Sequence, residues 1–496
     1  MNFVERTIKA ISPGWAASRS KSRYMFNAYE AAMPSRIHKA TRESMGANTS
    51  VQQSSQSLRE QARALDQNHD LVIGILDKME ERIIGSKGIY VEPQPLDRQG
   101  SVHEKLAKEI RAKWAEWAVS PDVTGRFTKP QLERMLLRTW LRDGEVFVQL
   151  VKGKVVGLDY ATSIPFAVEA LEPDFIPMTN EGDTLVQGIY LNAWRRPTGY
   201  QVYLHNPQES NALQSKVKRV DAENMLHLAF TKRLHQLRGV SMLHGVIVRL
   251  SDLKDYEESE RVAARIAAAM TMYIKKGDPQ FYDDALIEKE KREFSIAPGT
   301  VIDDLKPGED IGLVNSNRPN TGLESFRNGQ LRTIAAGTRS SYSSIARDYN
   351  GTYSSQRQEL VESFEGYAVL QDCFVARITR PMYREWLRIA IVSGEIKVPR
   401  ELDQDTLFNA VYSGPVMPWI DPVKEAEAWR KRIIGGLSTE SEAIRASGNN
   451  PAEIKRRRAA EVEENRKLGL KFDTDLTNTQ GVSSEQKLEQ SEKDNE

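Results

Sequence analysis

Leu331-Arg332-Thr333-Ile334-Ala335-Ala336-Gly337 and, a little further on, Asp348-Tyr349-Asn350-Gly351-Thr352-Tyr353-Ser354-Ser355-Gln356-Arg357 are the two runs around which the rest of the chain is arranged. Phe326, Leu331, Ile334 and Ala335 recur at helical spacing, so the first run belongs to a helix. The periodicity breaks between Arg347 and Gly351, where a base, an acid, an asparagine and a glycine stand together. It returns from Ser355 to Ser393, with Leu360, Phe364, Tyr367, Phe374, Val375 and Ile378 near one face. Pro381 should kink or interrupt this longer helix, because proline lacks the backbone donor and its ring clashes with the preceding turn. The local prediction is two helices joined by a short polar loop.

Upstream, Leu243, Val246, Leu250, Leu253, Val262, Ile266, Met270 and Tyr273 predict one long helix from Met242 to Lys276. Ala263, Ala264, Ala267, Ala268 and Ala269 give its second half small side chains on several faces, which suits either core packing or close approach of helices from neighbouring chains. Between the two helical regions, from Gly277 to Pro319, turn signals crowd together: Gly277-Asp278-Pro279, Ala297-Pro298-Gly299, Lys306-Pro307-Gly308 and Asn315-Ser316-Asn317. A small insertion of strands with one short helix is expected there.

Further towards the start, Val102, Leu106, Ile110, Trp114 and Trp117 mark a helix, and Leu132, Met135, Leu136 and Trp140 a second one that stops at Asp143-Gly144. The period then changes. Glu145 to Val151, Leu185 to Leu191 and Tyr200 to His205 are β-branched or aromatic runs bounded by Gly, Asn and Pro, as short antiparallel strands are. The class is therefore α+β. Towards the other end, Asp421 to Leu468 is helical and densely charged, with Asp421-Pro422 as cap and first-turn proline.

The chain has 496 residues, with 69 Lys and Arg against 69 Asp and Glu, so it lacks the positive field of a protein that grips phosphate over its whole surface. The charge is uneven along it. Residues 1–42 hold eight bases against Glu5 and Glu30, a basic arm, whereas the stretch from Asp473 to the end holds seven acids against Lys487 and Lys493 and reads as a disordered acidic tail. No apolar run is long enough to span a bilayer, and Glu5, Arg6 and Lys9 stand where a signal peptide would be apolar. Cys373 is the single cysteine, which excludes an intrachain disulfide and a cysteine zinc cluster; a buried small hydrophobe is its expected role.

Catalytic signatures are missing. There is no G-x-x-x-x-G-K-[ST] phosphate cradle, G-x-S-x-G elbow or H-E-x-x-H pair, so the chain has no recognisable ATP-binding loop of that type. His227, His235 and His244 lack acidic or cysteine partners at metal-ligand spacing and read as ordinary polar residues. Asp303-Asp304 and Glu309-Asp310 could suggest a nuclease metal site, but both flank a Pro-Gly turn where carboxylates are common. No enzyme, cofactor or metal is expected. A metal-dependent nuclease remains the enzymatic alternative.

The order of these segments, with several local matches, resembles the portal proteins of lambda-type tailed phages. Besides the two opening runs, the residues carrying the likeness are Leu141-Arg142-Asp143-Gly144-Glu145-Val146-Phe147-Val148, Arg238-Gly239-Val240, Leu253-Lys254-Asp255-Tyr256-Glu257 and Lys306-Pro307-Gly308-Glu309-Asp310. Each is weak alone; their order along most of the chain is specific. Thr338 and Arg339 depart from the family, which usually continues after Ala335-Ala336-Gly337 with an apolar residue and glycine. The stretch from Gly277 to Pro319 is also compact for the family.

The resemblance implies a portal fold closed into a ring, commonly a dodecamer, at one capsid vertex; another head-tail or tail ring protein is the structural alternative. It has an α/β wing, a two-helix stem, a small α/β clip, a long wing helix and a helical crown. Its expected layout here is a basic arm (residues 1–45), wing (46–240), first stem helix (241–276), clip (277–320), second stem helix (321–345), tunnel loop (346–354), long wing helix and return to the wing (355–420), crown (421–470) and acidic tail (471–496). The implied partners are further copies of the chain, the terminase large subunit, the major capsid protein and scaffold, head-tail adaptor proteins, and double-stranded DNA passing without sequence preference. The implied location is the virion, after assembly in the host cytoplasm. For the bore the expected residues are Arg339, Arg347, Asp348, Tyr349, Asn350, Gly351, Thr352 and Tyr353, a mix in which hydroxyls touch phosphate and acid offsets base. Each neutralised phosphate adds affinity and hence drag, so weak contact suits a conduit. Asp303, Asp304, Lys306, Glu309 and Asp310 are the residues expected to meet terminase and adaptors.

Overall fold

Helix α1 (Ala47–Asn68) and helix α2 (Asp70–Ile83) lead into strand β1 (Tyr90–Pro93), then α3 (Glu104–Trp117) and α4 (Lys129–Asp143). This is a computed structural model, and it describes residues 12–15, 43–208, 216–269, 272–276, 309–313, 322–417, 422–449 and 451–470. The chain divides into Met1–Ser50 and Val51–Glu496; of the first, only residues 12–15 and 43–50 are described. Helix α4 shows how sequence sets its ends. The Gln131 side chain accepts from the Thr128 backbone N–H at 3.0 Å, Pro130 occupies the first turn, and Gly144 closes the helix at φ 92°, a conformation other residues adopt only with strain.

After that glycine come β2 (Glu145–Lys152), β3 (Phe166–Leu171), β4 (Leu185–Val186), β5 (Ile189–Leu191), β6 (Pro197–Tyr203), β7 (Val217–Asp221) and β8 (Met225–Ala229). They form two antiparallel sheets, one ordered β3-β2-β8 and one β4-β5-β6-β7. The expected strand from Leu185 to Leu191 is instead two strands of a hairpin, turned at Gln187-Gly188, both of which have positive φ.

Helix α5 (Ile247–Ala269) follows a short 3-10 turn at Met242–Gly245. The helix expected to reach Lys276 stops at Ala269, and Met272–Lys276 forms β9, paired with β10 (Glu309–Leu313). A local alternation won because a partner strand far along the chain supplies the ladder. Helix α6 (Leu323–Thr338) packs on α5: Arg249 donates to the Gln330 side-chain oxygen at 2.6 Å, Arg327 pairs with Glu257 at 2.7 Å, and Tyr256 and Phe326 meet edge to face. A short α7 (Tyr342–Ala346) then precedes α8 (Tyr353–Phe374), a π-type turn at Val375–Thr379, and α9 (Arg380–Val392), which carries Pro381 in its first turn. The proline thus interrupts the long helix with one wide turn, where the missing donor is absorbed.

The core lies where α3, α8 and α9 meet the three-stranded sheet. Trp114 stacks on Trp117 with ring centres 4.7 Å apart and meets Trp386 at 4.9 Å, while the Trp117 indole N–H donates to the Phe166 carbonyl at 2.9 Å. Truncating any of these to alanine is worth about 3–5 kcal/mol. Strand β11 (Ala410–Ser413) returns to pair with β1. The final helical region is three helices, α10 (Pro422–Ile434), α11 (Glu440–Ala446) and α12 (Pro451–Leu468), separated by breaks at Gly436 and Gly448, both at positive φ. Asp421 lies outside the described residues. Cys373 is exposed, contrary to expectation, because its position on α8 points away from the face that carries Leu370 and Phe374.

Candidate functional site

The loop between α7 and α8 is built by two helix ends. Arg347 ends α7 at φ 53°, and Arg339 ends α6 at φ 56°; both are left-handed positions usually given to glycine. Arg339 thus holds a backbone conformation that glycine would take without strain. Thr338, just before it, is fully buried and returns its hydroxyl to the Ile334 carbonyl at 2.9 Å. Both arginine side chains are exposed.

Asp348 turns back into the fold. Its carboxylate accepts from the Tyr342 hydroxyl at 3.2 Å and from the Asn350 N–H at 3.2 Å. The Arg332 guanidinium of α6 lies over the Tyr342 ring at 5.1 Å, so loop and helix are tied through one aromatic side chain. Partial burial, then the Asp348 carboxylate, hold the Tyr342 phenol above its ordinary pKa. Thr352 caps α8 by accepting from the Ser355 N–H at 3.4 Å, and the Gln356 amide donates to the Tyr349 carbonyl. Tyr349 and Tyr353 are more than half exposed, and Asn350, Gly351 and Thr352 are exposed as well. Of the eight residues expected at the bore, the seven from Arg347 to Tyr353 are contiguous and Arg339 sits one helix end earlier; Asp348 is engaged, while the two arginines and two tyrosines are exposed. Of the expected docking residues, Asp303, Asp304 and Lys306 lie outside the described residues. Glu309 and Asp310 are in β10, directly across from Lys276 and Lys275, as a strand pair and not as turn carboxylates.

A second constellation escaped the sequence reading. The Glu145 carboxylate, fully buried, accepts from Arg238 Nε at 2.8 Å, from the Gly239 N–H at 2.9 Å and from His227 Nε2 at 3.1 Å. Arg238, also fully buried, donates onward to the Gln187 carbonyl at 2.9 Å and the Ile176 carbonyl at 3.3 Å, fastening the three-stranded sheet to the turn of the other. Burial alone would raise the Glu145 pKa; the Arg238 charge, the His227 hydrogen bond and Arg59 outweigh it and hold the carboxyl at about 2. Burial holds His227 below its ordinary value, so at neutral pH it is the uncharged donor to Glu145. Chain crossing here is close: a β-carbon on Gly239 would lie 2.0 Å from the Gly144 carbonyl oxygen. The two motifs Arg142-Asp143-Gly144-Glu145 and Arg238-Gly239-Val240 are therefore one structural unit. The available signal was an acid opening an apolar strand, since such a carboxylate needs a buried cation.

His235 and His244 stay apart from this knot, with His244 beside Lys232. Among the described residues no group of three or more His, Cys, Asp or Glu side chains could hold a metal ion, and no helix is long and apolar enough to cross a membrane.

A family model described as phage portal protein, lambda family, matches residues 34–371, which takes in the charge knot, the paired helices α5 and α6 and the loop. The chain belongs to the lambda family of phage portal proteins. Relatives run nearly its full length: the probable portal protein of Halomonas phage phiHAP-1 is 22% identical over 84% of this chain and 82% of its own length. Portal protein B of Escherichia phage lambda is 24% identical over 83% and 85%. Among solved structures, the neck of a native gene transfer agent particle computed with C12 symmetry aligns at TM-score 0.42 and 12% identity, covering 80% of this chain and 94% of that one. The chain is thus an α+β portal protein of a tailed phage, a structural component of the virion, and passage of the genome through the capsid wall is the role its family implies.

Proposed function

We propose that copies of this chain close into a ring, a dodecamer, whose bore admits double-stranded DNA during packaging and releases it at ejection. In this reading α5 and α6 are the stem, residues 277–320 the clip, residues 346–354 the tunnel loop at the narrowest point, residues 46–240 with α8 and α9 the wing, and α10 to α12 the crown. Terminase docks on the clip, through residues that include Glu309 and Asp310, and head-tail adaptor proteins take its place afterwards. The wing is held by the major capsid protein and scaffold. The chain itself catalyses nothing and needs no cofactor; it assembles in the host cytoplasm and stays in the virion.

The observation that carries this reading is the composition of the loop. Its exposed side chains are hydroxyls, an amide and the Arg347 guanidinium, while its acid is turned inward to Tyr342. Repeated around an axis, such a loop makes a modest positive belt that touches phosphate without holding it. Negative-stain class averages of the purified chain are the test: rings with an axial hole near the width of duplex DNA are expected, and monomers at every concentration would refute the proposal.

A further inference from the structure

Helix α9 is a one-sided element. Met382, Tyr383, Trp386, Leu387 and Ala390 are buried in the core, while Arg380, Arg384 and Arg388 are exposed along the other side. Four residues separate each arginine from the next, so the three make a line with steps of about 6 Å. The line stands at the far end of α8 from the loop, across a rod of roughly 33 Å.

Each guanidinium is backed by an aromatic ring from the segment that returns to β1. Arg380 lies over Tyr412 at 5.4 Å, and Arg384 and Arg388 share Phe408, at 5.6 Å and 5.9 Å. Stacking on a ring holds the guanidinium in place and leaves its N–H groups for an oxygen acceptor. Carboxylates take up little of this charge. Arg380 and Arg384 have no ion-pair partner among the described residues. Glu385, the one acid of α9, pairs with Arg388 and is shared with Lys152 at 2.9 Å. Asp403 and Asp405, the acids just before Phe408, pair with none of the three; the Asp403 carboxylate accepts from the Asp405 backbone N–H at 3.2 Å instead.

Three stacked guanidiniums in a row suit one kind of ligand. A single small anion needs donors that converge on a point, and these run in a line. A protein interface is built around an apolar centre, and no large apolar side chain is exposed between Arg380 and Arg388. A phosphodiester strand supplies what is left: negative charges repeated along a line, each with two oxygens for a guanidinium fork. We propose that this stripe holds the sugar-phosphate backbone of duplex DNA, at a place apart from the loop. The proposal deepens the portal reading and takes from it only the identity of the polyanion. The two DNA contacts differ in kind: at the loop a tied acid and exposed hydroxyls keep contact light, whereas the stripe sets stacked cations in register and retains what it touches.

The test titrates the full chain into a fluorescently labelled duplex at several salt concentrations, with anisotropy giving log affinity against log salt. Arg380→Gln, Arg384→Gln and Arg388→Gln together should flatten that slope by about two to three and weaken binding roughly ten-fold or more at low salt. Lysine at the same three positions keeps the charge and should keep the slope. Arg195→Gln, Arg196→Gln and Lys216→Gln, which remove three exposed cations from the four-stranded sheet and its turns, should leave both slope and affinity as they were. An unchanged slope in the stripe variant, or an equal fall in the sheet variant, would overturn the proposal. Absence of rings from the unaltered chain would remove the portal reading without touching this measurement, which needs only the chain and DNA.

Discussion

The charge knot around Glu145 and the loop from Arg347 to Thr352 use the same residue types to opposite ends. In the knot every charge is buried and answered by a fixed partner; in the loop one acid is tied back and the bases are left to water. Burial explains the difference. A carboxylate removed from water must be fully satisfied or it unfolds its surroundings, whereas an exposed guanidinium is stabilised by solvent and stays available. The protein keeps its buried, fixed charges between the two sheets and its exposed polar groups at the loop.

Substitutions should separate the two. Arg238→Ala takes the closest cation from the buried Glu145, leaving only His227, the Gly239 N–H and the more distant Arg59, and a loss of about 3–5 kcal/mol is expected in urea unfolding followed by tryptophan fluorescence. Arg347→Ala should leave that midpoint unmoved and show itself only in DNA packaging; equal midpoints for the two variants would break the contrast. Acid should act on the knot next. The Glu145 pKa is lowered in the fold from 4.5 to about 2, so its contribution is complete above 4.5 and is lost as pH falls towards 2. His227 is also lowered, from 6.5, so the cost of charging it grows as pH drops below that value. An acid unfolding curve should therefore begin to fall near the histidine range and steepen below 4.5, and Glu145→Gln should remove the steeper part.

Gly239→Ala forces a methyl against the Gly144 carbonyl and should cost about 1–3 kcal/mol in the same unfolding experiment. In the loop, Thr352→Ala removes the cap of α8 and should cost about 1 kcal/mol, seen as faster amide exchange in the first turn of that helix. Smallest is Arg347→Gly, which relieves a left-handed arginine; the gain expected is below about 1 kcal/mol, with packaging slowed because the exposed cation is gone.

Local rules read well where local forces decide. The stop of α4 at Asp143-Gly144 and the interruption at Pro381 follow from one residue each, and both are where the sequence put them. The end of α5 was missed because Met272–Lys276 becomes a strand only once Glu309–Leu313 lies beside it. The knot was missed for the same reason: Glu145 and Arg238 were both conspicuous, but 93 residues separate them, and nothing in their own neighbourhoods says that they touch. In the loop the residue types were legible and the roles were not, since only coordinates reveal that Asp348 bends back to Tyr342 while Arg347 does not.

The π-type turn at Val375–Thr379 gives the molecule a mechanical property. Helix α8 begins at the last residues of the loop and runs as a rod of 22 residues, roughly 33 Å, straight to that turn. At the end of that turn, Thr379 is pinned by its hydroxyl to the buried Glu133 carboxylate at 3.2 Å, which Lys129 holds at 2.8 Å. The rod therefore has one end among exposed loop residues and the other fixed to a buried ion pair, with the wide turn set between helix α8 and that anchor.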